Sequence, residues 1–154
     1  MSASLAGAWR AFDGLGPEPD GHLRCEIRAS SDHEIACALW PRGVEGMLQG
    51  YGASRAWLHV LCGTIEEERY LPLSGGEWSY EHHVHGAGAS FELPQHALHR
   101  LSARRTAQLL VALSPRPTVR VVPFDGVDVE ALRRARLRRA RDESRAGRGP
   151  SWEP

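Results

Sequence analysis

The stretch "GASFELPQHALHRLSA", residues 88–103, has the residue spacing that decides the fold. Five residues separate Gly88 from Pro94, one separates Pro94 from His96, and two separate His96 from His99. On both sides of this stretch, short runs of alternating apolar and polar residues recur at intervals of about 8 to 14 residues. Gly, Pro and Ser clusters separate most of these runs. The pattern predicts an all-β sandwich or barrel.

The two ends of the chain depart from this pattern and predict helices. Near the N-terminus, apolar residues recur with helical spacing at Leu5, Trp9 and Phe12. Residues 1–20 are therefore predicted to form a short helix followed by a linker rich in Gly and Pro. Residues 21–127 then form the barrel, and residues 128–154 form an Arg-rich helix and tail.

The C-terminal helix has its own start signal and apolar side. Asp128 is a plausible N-cap for "DVEALRRARLRRARDESRAG". The helix is predicted to carry a narrow apolar stripe that consists of Val129, Leu132, Ala135 or Arg136, and Leu137.

The arginines of this helix surround it rather than form one stripe, and Asp142 and Glu143 interrupt them. We therefore do not expect nucleic acid as its partner, although a basic helix can bind phosphates nonspecifically. A solvated helix, or one that docks on a protein partner or a second copy of this chain, is the preferred interpretation.

The composition is that of an ordinary globular domain. The chain has 154 residues, of which 42% are hydrophobic and 25% charged. No apolar run approaches the roughly 18 to 20 residues that span a bilayer, and the N-terminus lacks the basic start of a signal peptide. The sequence predicts a cytoplasmic protein without a membrane partner. Its three cysteines form no C-x-x-C pair, which predicts reduced thiols rather than disulfides or a zinc knuckle.

The spacing from Gly88 to His99 resembles the second signature motif of the cupin family, G-(x)5-P-x-G-(x)2-H-(x)3-N. His96 stands where that motif has Gly, and Ala103 where it has Asn. The resemblance implies a cupin (jelly-roll) barrel. It also implies that His99 occupies the position of a metal ligand.

The first cupin motif, G-(x)5-H-x-H-(x)3-4-E-(x)6-G, fits without a gap when it begins at Gly43 and ends at Gly63. The two histidine positions then fall on Gln49 and Tyr51, and the acidic position on Ala56. The frame of the motif is present, and its metal-binding residues are replaced.

A narrower resemblance covers roughly residues 22 to 115. "LHVLCGTIEEERY", followed by "ALHRL" and "LSP", is similar to the cysteine dioxygenase (thiol dioxygenase) branch of the cupins. Members of that branch hold iron(II) with three histidines, and these positions read Gln49, Tyr51 and His99 here. The resemblance places the cysteine that can crosslink to a tyrosine at Ala56.

The same resemblance identifies the rest of a pocket. The tyrosine position falls on Leu113, and Arg24 occupies the place of an arginine that binds the substrate carboxylate. An inward arginine among neutral groups is a buried charge without a partner, which predicts a small carboxylic acid as the ligand. Arg24, Gln49, Ala56 and Leu113 are thus predicted to bind substrate.

One imidazole in place of three does not hold iron(II) usefully, so we predict no metal and no other cofactor. The alternative is iron or zinc at a relocated site, because "YEHHVHG" places His83 and His85 on one strand face about 7 Å apart. Together with His99 they could form such a site. A solvated strand face with ordinary hydrogen bonds explains the same residues.

Without a metal, the chemistry that remains is acid–base work by His99 and Tyr51, the predicted catalytic residues. Isomerisation, dehydration or cyclisation of a small acid would suit them, and a role in secondary metabolism would fit such a change. Two alternatives stay open: a non-catalytic regulatory or partner subunit, and an iron-dependent thiol dioxygenase with unusual ligands.

Overall fold

A computed structural model describes residues 16–117 and 127–146. The predicted N-terminal helix lies outside these residues, and so does "TVRVVPF", one of the alternating runs that the sequence presents as a strand. The described elements are β1 (Gly16–Pro17), β2 (Leu23–Ala29), β3 (Glu34–Trp40), β4 (Gln49–Gly50), β5 (Arg55–Pro72), a short 3-10 turn (Ser74–Gly76), β6 (Trp78–Gly86), β7 (Ser90–Leu93), β8 (Leu98–Ser114) and α1 (Val129–Ala146).

The strands form one antiparallel sheet in the order β1-β2-β3-β8-β5-β6. The short strands β4 and β7 pair with β8 and β5, respectively. Strand β8 pairs along its length with β3, β4 and β5, so it is the centre of the fold. The all-β prediction is confirmed.

Strand β5 contains the runs "AWLHVLCG" and "TIEEERYLP", which the alternating pattern of the sequence presents as two short strands. Gly63 joins them, and its backbone has a φ of 79°. A Cβ atom at Gly63 would lie 2.3 Å from the carbonyl oxygen of Thr106, so no other residue fits without a shift. The pairing register with β8 shifts on both sides of this position, which is the behaviour of a β-bulge. The chain therefore bends at Gly63 and continues as the same strand.

The core lies between the inward faces of β3, β5, β7 and β8. Alternate residues of these strands point inward, and the largest buried apolar side chains are Trp40, Leu58, Ile65, Leu93, Leu109 and Leu113. Burying each such side chain contributes about 1.5 to 3 kcal/mol. Residues before and after Gly63 share this one core, so the bend in β5 wraps the sheet around it.

Helix α1 begins as predicted. Asp128 Oδ1 accepts hydrogen bonds from the backbone N–H groups of Glu130 and Ala131, at 3.0 and 3.1 Å. These bonds satisfy two of the donors that every helix leaves free at its start. Within residues 16–117 and 127–146, no helix has the length and hydrophobicity needed to cross a membrane.

The predicted apolar stripe of the helix is wrong in part. Leu132 and Ala135 are buried as expected, but Val129 and Leu137 are 55% and 50% exposed. Ala131 is buried with them, because the helix lies against β6 on a face rotated from the predicted one. Small residues at two of these positions let the helix approach the sheet closely.

Candidate functional site

A cavity of about 40 Å³ lies inside the rolled sheet. It has room for about three water molecules, or for a ligand of that size. Its apolar wall comes from β3, β5 and β8, and its polar lining consists of Glu18, His22, Arg24, Gln49 and Tyr51. Three of the predicted site residues are therefore together at this cavity.

Two other predicted substrate-binding residues lie elsewhere. Ala56 and Leu113 are cross-strand partners on β5 and β8, and both are fully buried in the core. Neither lines the cavity. The two apolar side chains face each other across the β5–β8 pair and pack in the core.

Arg24 points inward from β2, on the side of the strand opposite to Leu23 and Cys25. The expectation that it lacks a charged partner is wrong. It forms an ion pair with Glu34, which is fully buried on β3, and the Nε atom of Arg116 lies 3.4 Å from the other oxygen of Glu34. Glu34 thus divides its charge between two guanidinium groups. The Nε atom of Arg24 is buried and has no hydrogen-bond partner in the described part of the chain.

His99 is 0% exposed, on the inward face of β8. Its register partner on β4 is Gln49, and the ring of Tyr51 meets it edge-on with the centroids 5.7 Å apart. Nδ1 lies 3.5 Å from Glu67 Oε1, a separation too long for a strong hydrogen bond. Nε2 has no hydrogen-bond partner among the residues that the structure describes. A buried imidazole with a free ring nitrogen, beside a residue that lines the cavity, calls for a functional explanation.

Glu67 is a second fully buried residue of this region, and sequence reasoning missed it. It accepts two hydrogen bonds from Arg69, at 3.0 and 2.9 Å, and its Oε2 lies 2.9 Å from His85 Nε2. Burial alone would raise the pKa of Glu67, but the imidazole of His99 and the guanidinium of Arg69 lower it to about 2. This carboxylate is therefore ionised at neutral pH, and it contacts His85 directly and lies 3.5 Å from His99.

A signal for Glu67 was present in the sequence. The run "EEE" at residues 66–68 suggests a solvated strand, yet Glu67 has the same parity as Ile65 and Arg69. In a strand these three residues share one face, and the apolar Ile65 marks that face as the inner one.

His83 and His85 share one face of their strand, as predicted, but their contacts differ from those of a metal site. His83 and His85 lie side by side on β6, with ring centroids 5.8 Å apart. His83 contacts Glu81 at 3.0 Å, and His85 stacks on the ring of Phe91 at 3.8 Å. His85 reaches His99 only through Glu67, since its Nε2 is bonded to that carboxylate. In residues 16–117 and 127–146, no three His, Cys, Asp or Glu side chains are arranged to hold a metal ion.

The residues at the cupin metal position do not fit an iron site of the thiol dioxygenase type. An amide oxygen from Gln49 and a phenol from Tyr51 are weak ligands for iron(II) beside a single imidazole from His99. The histidine is also oriented by Glu67. These side chains suit hydrogen bonding and proton transfer better than metal binding.

We expect the purified protein to contain less than about one-tenth of an equivalent of iron, because one imidazole remains of three. We also expect no gain in thermal stability from micromolar zinc. Metal analysis of protein purified without chelator measures the iron content. Thermal melts with and without zinc measure the stabilisation. Stoichiometric iron with production of sulfinate from cysteine would contradict the first. Zinc stabilisation of several degrees, abolished by both His83→Ala and His85→Ala, would contradict the second.

Comparison with solved structures identifies the architecture. The structure of KdgF from Halomonas sp. is 22% identical and superimposes with a TM-score of 0.57, over 70% of this chain and 91% of that chain. An RmlC-like cupin from Shewanella frigidimarina is 18% identical, with a TM-score of 0.56 over 66% of this chain and 82% of that chain. Ectoine synthase from P. lautus is 17% identical, with a TM-score of 0.55 over 77% of this chain and 80% of that chain.

No protein-family model and no curated protein sequence matches the chain. At these identities the structural matches speak for the fold alone, and they support the cupin part of the resemblance. The thiol dioxygenase part stays a prediction. The chain has the cupin fold: an all-β jelly-roll barrel, with the Arg-rich helix α1 packed on its strand β6.

Proposed function

We propose that this protein is a metal-independent cupin that binds a small carboxylic acid in its barrel cavity and acts on it by acid–base chemistry. The observation that carries the proposal is His99. It is a fully buried imidazole whose Nε2 has no hydrogen bond in the described residues, and it contacts Tyr51, which lines the cavity. Natural proteins rarely leave such a group unsatisfied unless a ligand, a water molecule or a reaction uses it.

The acid–base part rests on how Glu67 orients His99. A neutral imidazole whose Nδ1 faces an ionised carboxylate keeps its proton on Nδ1 and presents a lone pair at Nε2. When Nε2 takes up a proton, the resulting imidazolium is stabilised by the negative charge of Glu67. Tyr51 contacts both the cavity and this ring, so we assign it the polarising or proton-donating role beside His99. Isomerisation or dehydration of the bound acid needs no more than these groups.

The binding part rests on Arg24. Because Glu34 is shared with Arg116, it compensates the positive charge of Arg24 only in part. In addition, the Nε–H group of Arg24 has no acceptor within the described residues. A ligand carboxylate can accept that hydrogen bond in the cavity. The amide of Gln49 lies at the same cavity and can hydrogen-bond a second polar group of the ligand.

Binding of acids can be measured without knowledge of the natural ligand. We expect NMR titrations with acetate, glycolate and pyruvate to shift the Arg24 Nε–H signal, and titrations with the corresponding amides to leave it unchanged. Arg24→Met should abolish the shifts of the surrounding signals while the folded spectrum persists. The matched control is Arg28→Met, which removes an exposed arginine from the same strand and should bind as the parent does.

Two results would overturn this proposal. One is equal response to the acids and to their amides. The other is an Arg24→Met protein that binds the acids as well as the Arg28→Met protein does.

The two alternative functions, an iron-dependent thiol dioxygenase and a regulatory subunit, each require a feature that can be compared with the structure. An iron-dependent thiol dioxygenase requires iron at Gln49, Tyr51 and His99, where the donor set is poor. A regulatory subunit that docks through its basic helix requires free charge there. Yet Arg136 and Arg138 form ion pairs with Glu68 and Glu77 of the barrel, at 3.0 and 2.8 Å. These pairs reduce the positive charge that a nucleic acid or an acidic partner would meet, so we favour the small-molecule proposal.

A further inference from the structure

Asp20 and His22, in the loop before β2, form a buried hydrogen-bonded pair at the cavity. Nδ1 of His22 lies 2.5 Å from Asp20 Oδ1, and the side chains are 9% and 5% exposed. The other carboxylate oxygen of Asp20 accepts a hydrogen bond from the backbone N–H of Met47 at 3.2 Å. Asp20 is therefore fixed at both oxygens, and it fixes His22 in turn.

Two further contacts set the orientation of the His22 ring. It stacks on the indole of Trp40, with the centroids 4.4 Å apart and the planes 6° from parallel. Both rings line the cavity. Since Nδ1 is held by Asp20, Nε2 is the nitrogen that remains for the cavity. Within the described residues, the side-chain hydrogen bond of His22 is the one between Nδ1 and Asp20.

His22 is also well placed relative to Arg24. The two residues are separated by one position at the start of β2, and both side chains line the cavity. Residues spaced by two along an extended chain lie about 7 Å apart on one face. A ligand held by its carboxylate at Arg24 would thus extend a second polar group, a few bonds away, toward His22 Nε2.

We propose that His22 is a second functional histidine of the cavity, positioned by Asp20, and that it selects short hydroxy acids. The inference rests on the proposed binding of a carboxylic acid and specifies its class. A carboxylate next to Nδ1 keeps the proton there, so Nε2 is a hydrogen-bond acceptor. It accepts from a hydroxyl group, whereas a keto oxygen offers no donor and a methyl group offers nothing. The small volume of the cavity favours a ligand of a few carbon atoms.

The selectivity can be tested with two matched pairs of acids. We expect glycolate to bind about fivefold to tenfold more tightly than acetate, and lactate more tightly than pyruvate by a similar factor. His22→Phe keeps a ring on Trp40 and should remove both preferences while acids still bind. The control His59→Phe, on the outer face of β5, should retain them.

The positioning role of Asp20 can be tested through the tautomer of His22, which would not change if Asp20 had only a structural role. Long-range proton–nitrogen NMR correlations should show His22 in the Nδ1–H tautomer in the parent. In Asp20→Ala, we expect a change to the Nε2–H form that a free imidazole prefers, with loss of the hydroxy-acid preference. Asp20→Asn still offers an acceptor oxygen and should restore part of the Nδ1–H form.

The outcomes separate this inference from the proposed function. If acids bind and depend on Arg24, but hydroxy acids show no preference or keep it in His22→Phe, the role of His22 is overturned and the proposed function stands. An Nε2–H tautomer in the parent would likewise overturn it. If neither member of either pair binds, both the proposed function and the inference fail.

Discussion

Replacing Glu67 by glutamine is expected to lower the free energy of unfolding by about 3 to 5 kcal/mol. The carboxylate is fully buried, and Arg69, which is 13% exposed, makes two hydrogen bonds to it. Without the negative charge, a largely buried guanidinium keeps its positive charge with no counterion from this residue. His85 also loses its charged partner. Urea denaturation of the parent and the variant measures the difference.

The neighbouring Glu66 provides a matched control. It contacts the side chain of Arg104, which is 81% exposed, and it lies 4.0 Å from His82. An ion pair with an exposed partner contributes about 0 to 1 kcal/mol, so Glu66→Gln should change stability little. Equal stability losses in the Glu66→Gln and Glu67→Gln proteins would show that the contacts of Glu67 with Arg69 and His85 do not stabilise the fold.

The pKa of Glu67 also predicts a pH window for acid unfolding. In the folded protein this pKa is lowered from 4.5 to about 2, so the folded state favours the ionised carboxylate. The resulting stabilisation of about 3 kcal/mol is fully present above pH 4.5 and is lost as the pH falls toward 2. The parent should therefore lose stability over this range. Glu67→Gln should lack this component of the loss.

The strands were predictable because alternation reports which face of a strand is buried. What alternation does not report is where a strand ends. Gly63 is a turn signal in the sequence, but its positive φ and the nearby Thr106 carbonyl make it a bulge inside a continuous β5. The helix start at Asp128 was predictable for a local reason, since the cap involves only neighbouring backbone groups.

The candidate site was predictable only where the motif frame reached it. The frame identified Gln49, Tyr51 and His99, which the fold brings together at or beside the cavity. It also identified Ala56 and Leu113, which are core residues here. Spacing along a motif gives a position in the barrel, but whether that position opens on a cavity depends on the side chains around it.

The charged partners of the site were not predictable from spacing, because they come from other strands. Glu34 meets Arg24 across the β2–β3 pair, and Glu67 meets His99 across the β5–β8 pair. Glu34 compensates the positive charge of Arg24, which appears unpaired in the sequence, and Glu67 places a negative charge beside His99. The carboxylate-binding proposal consequently rests on the unsatisfied Nε–H of Arg24 rather than on an isolated buried charge.

Leu132 has the largest of the buried side chains by which α1 contacts the barrel. Leu132 is 5% exposed and belongs to a buried cluster with Leu48, Tyr70 and Leu98 of the sheet side. Arg136 supports the same contact, with its guanidinium carbon 5.9 Å from the ring centroid of Tyr80. The main core contains no residue of the helix, so the barrel can remain folded when this contact weakens.

Leu132→Ala is therefore expected to cost about 2 to 4 kcal/mol, because it removes buried methyl groups and leaves a cavity beside Tyr70. Leu137→Ala, five positions along the same helix at a residue that is 50% exposed, should cost less than about 0.5 kcal/mol. For a chain of this length the first change corresponds to a fall in Tm of roughly 4 to 16 °C, which thermal melts resolve easily. The two variants share the same chemistry and nearly the same effect on helix propensity, so their difference measures burial. Equal melting temperatures for the two would mean that α1 does not pack on the barrel through Leu132 in solution.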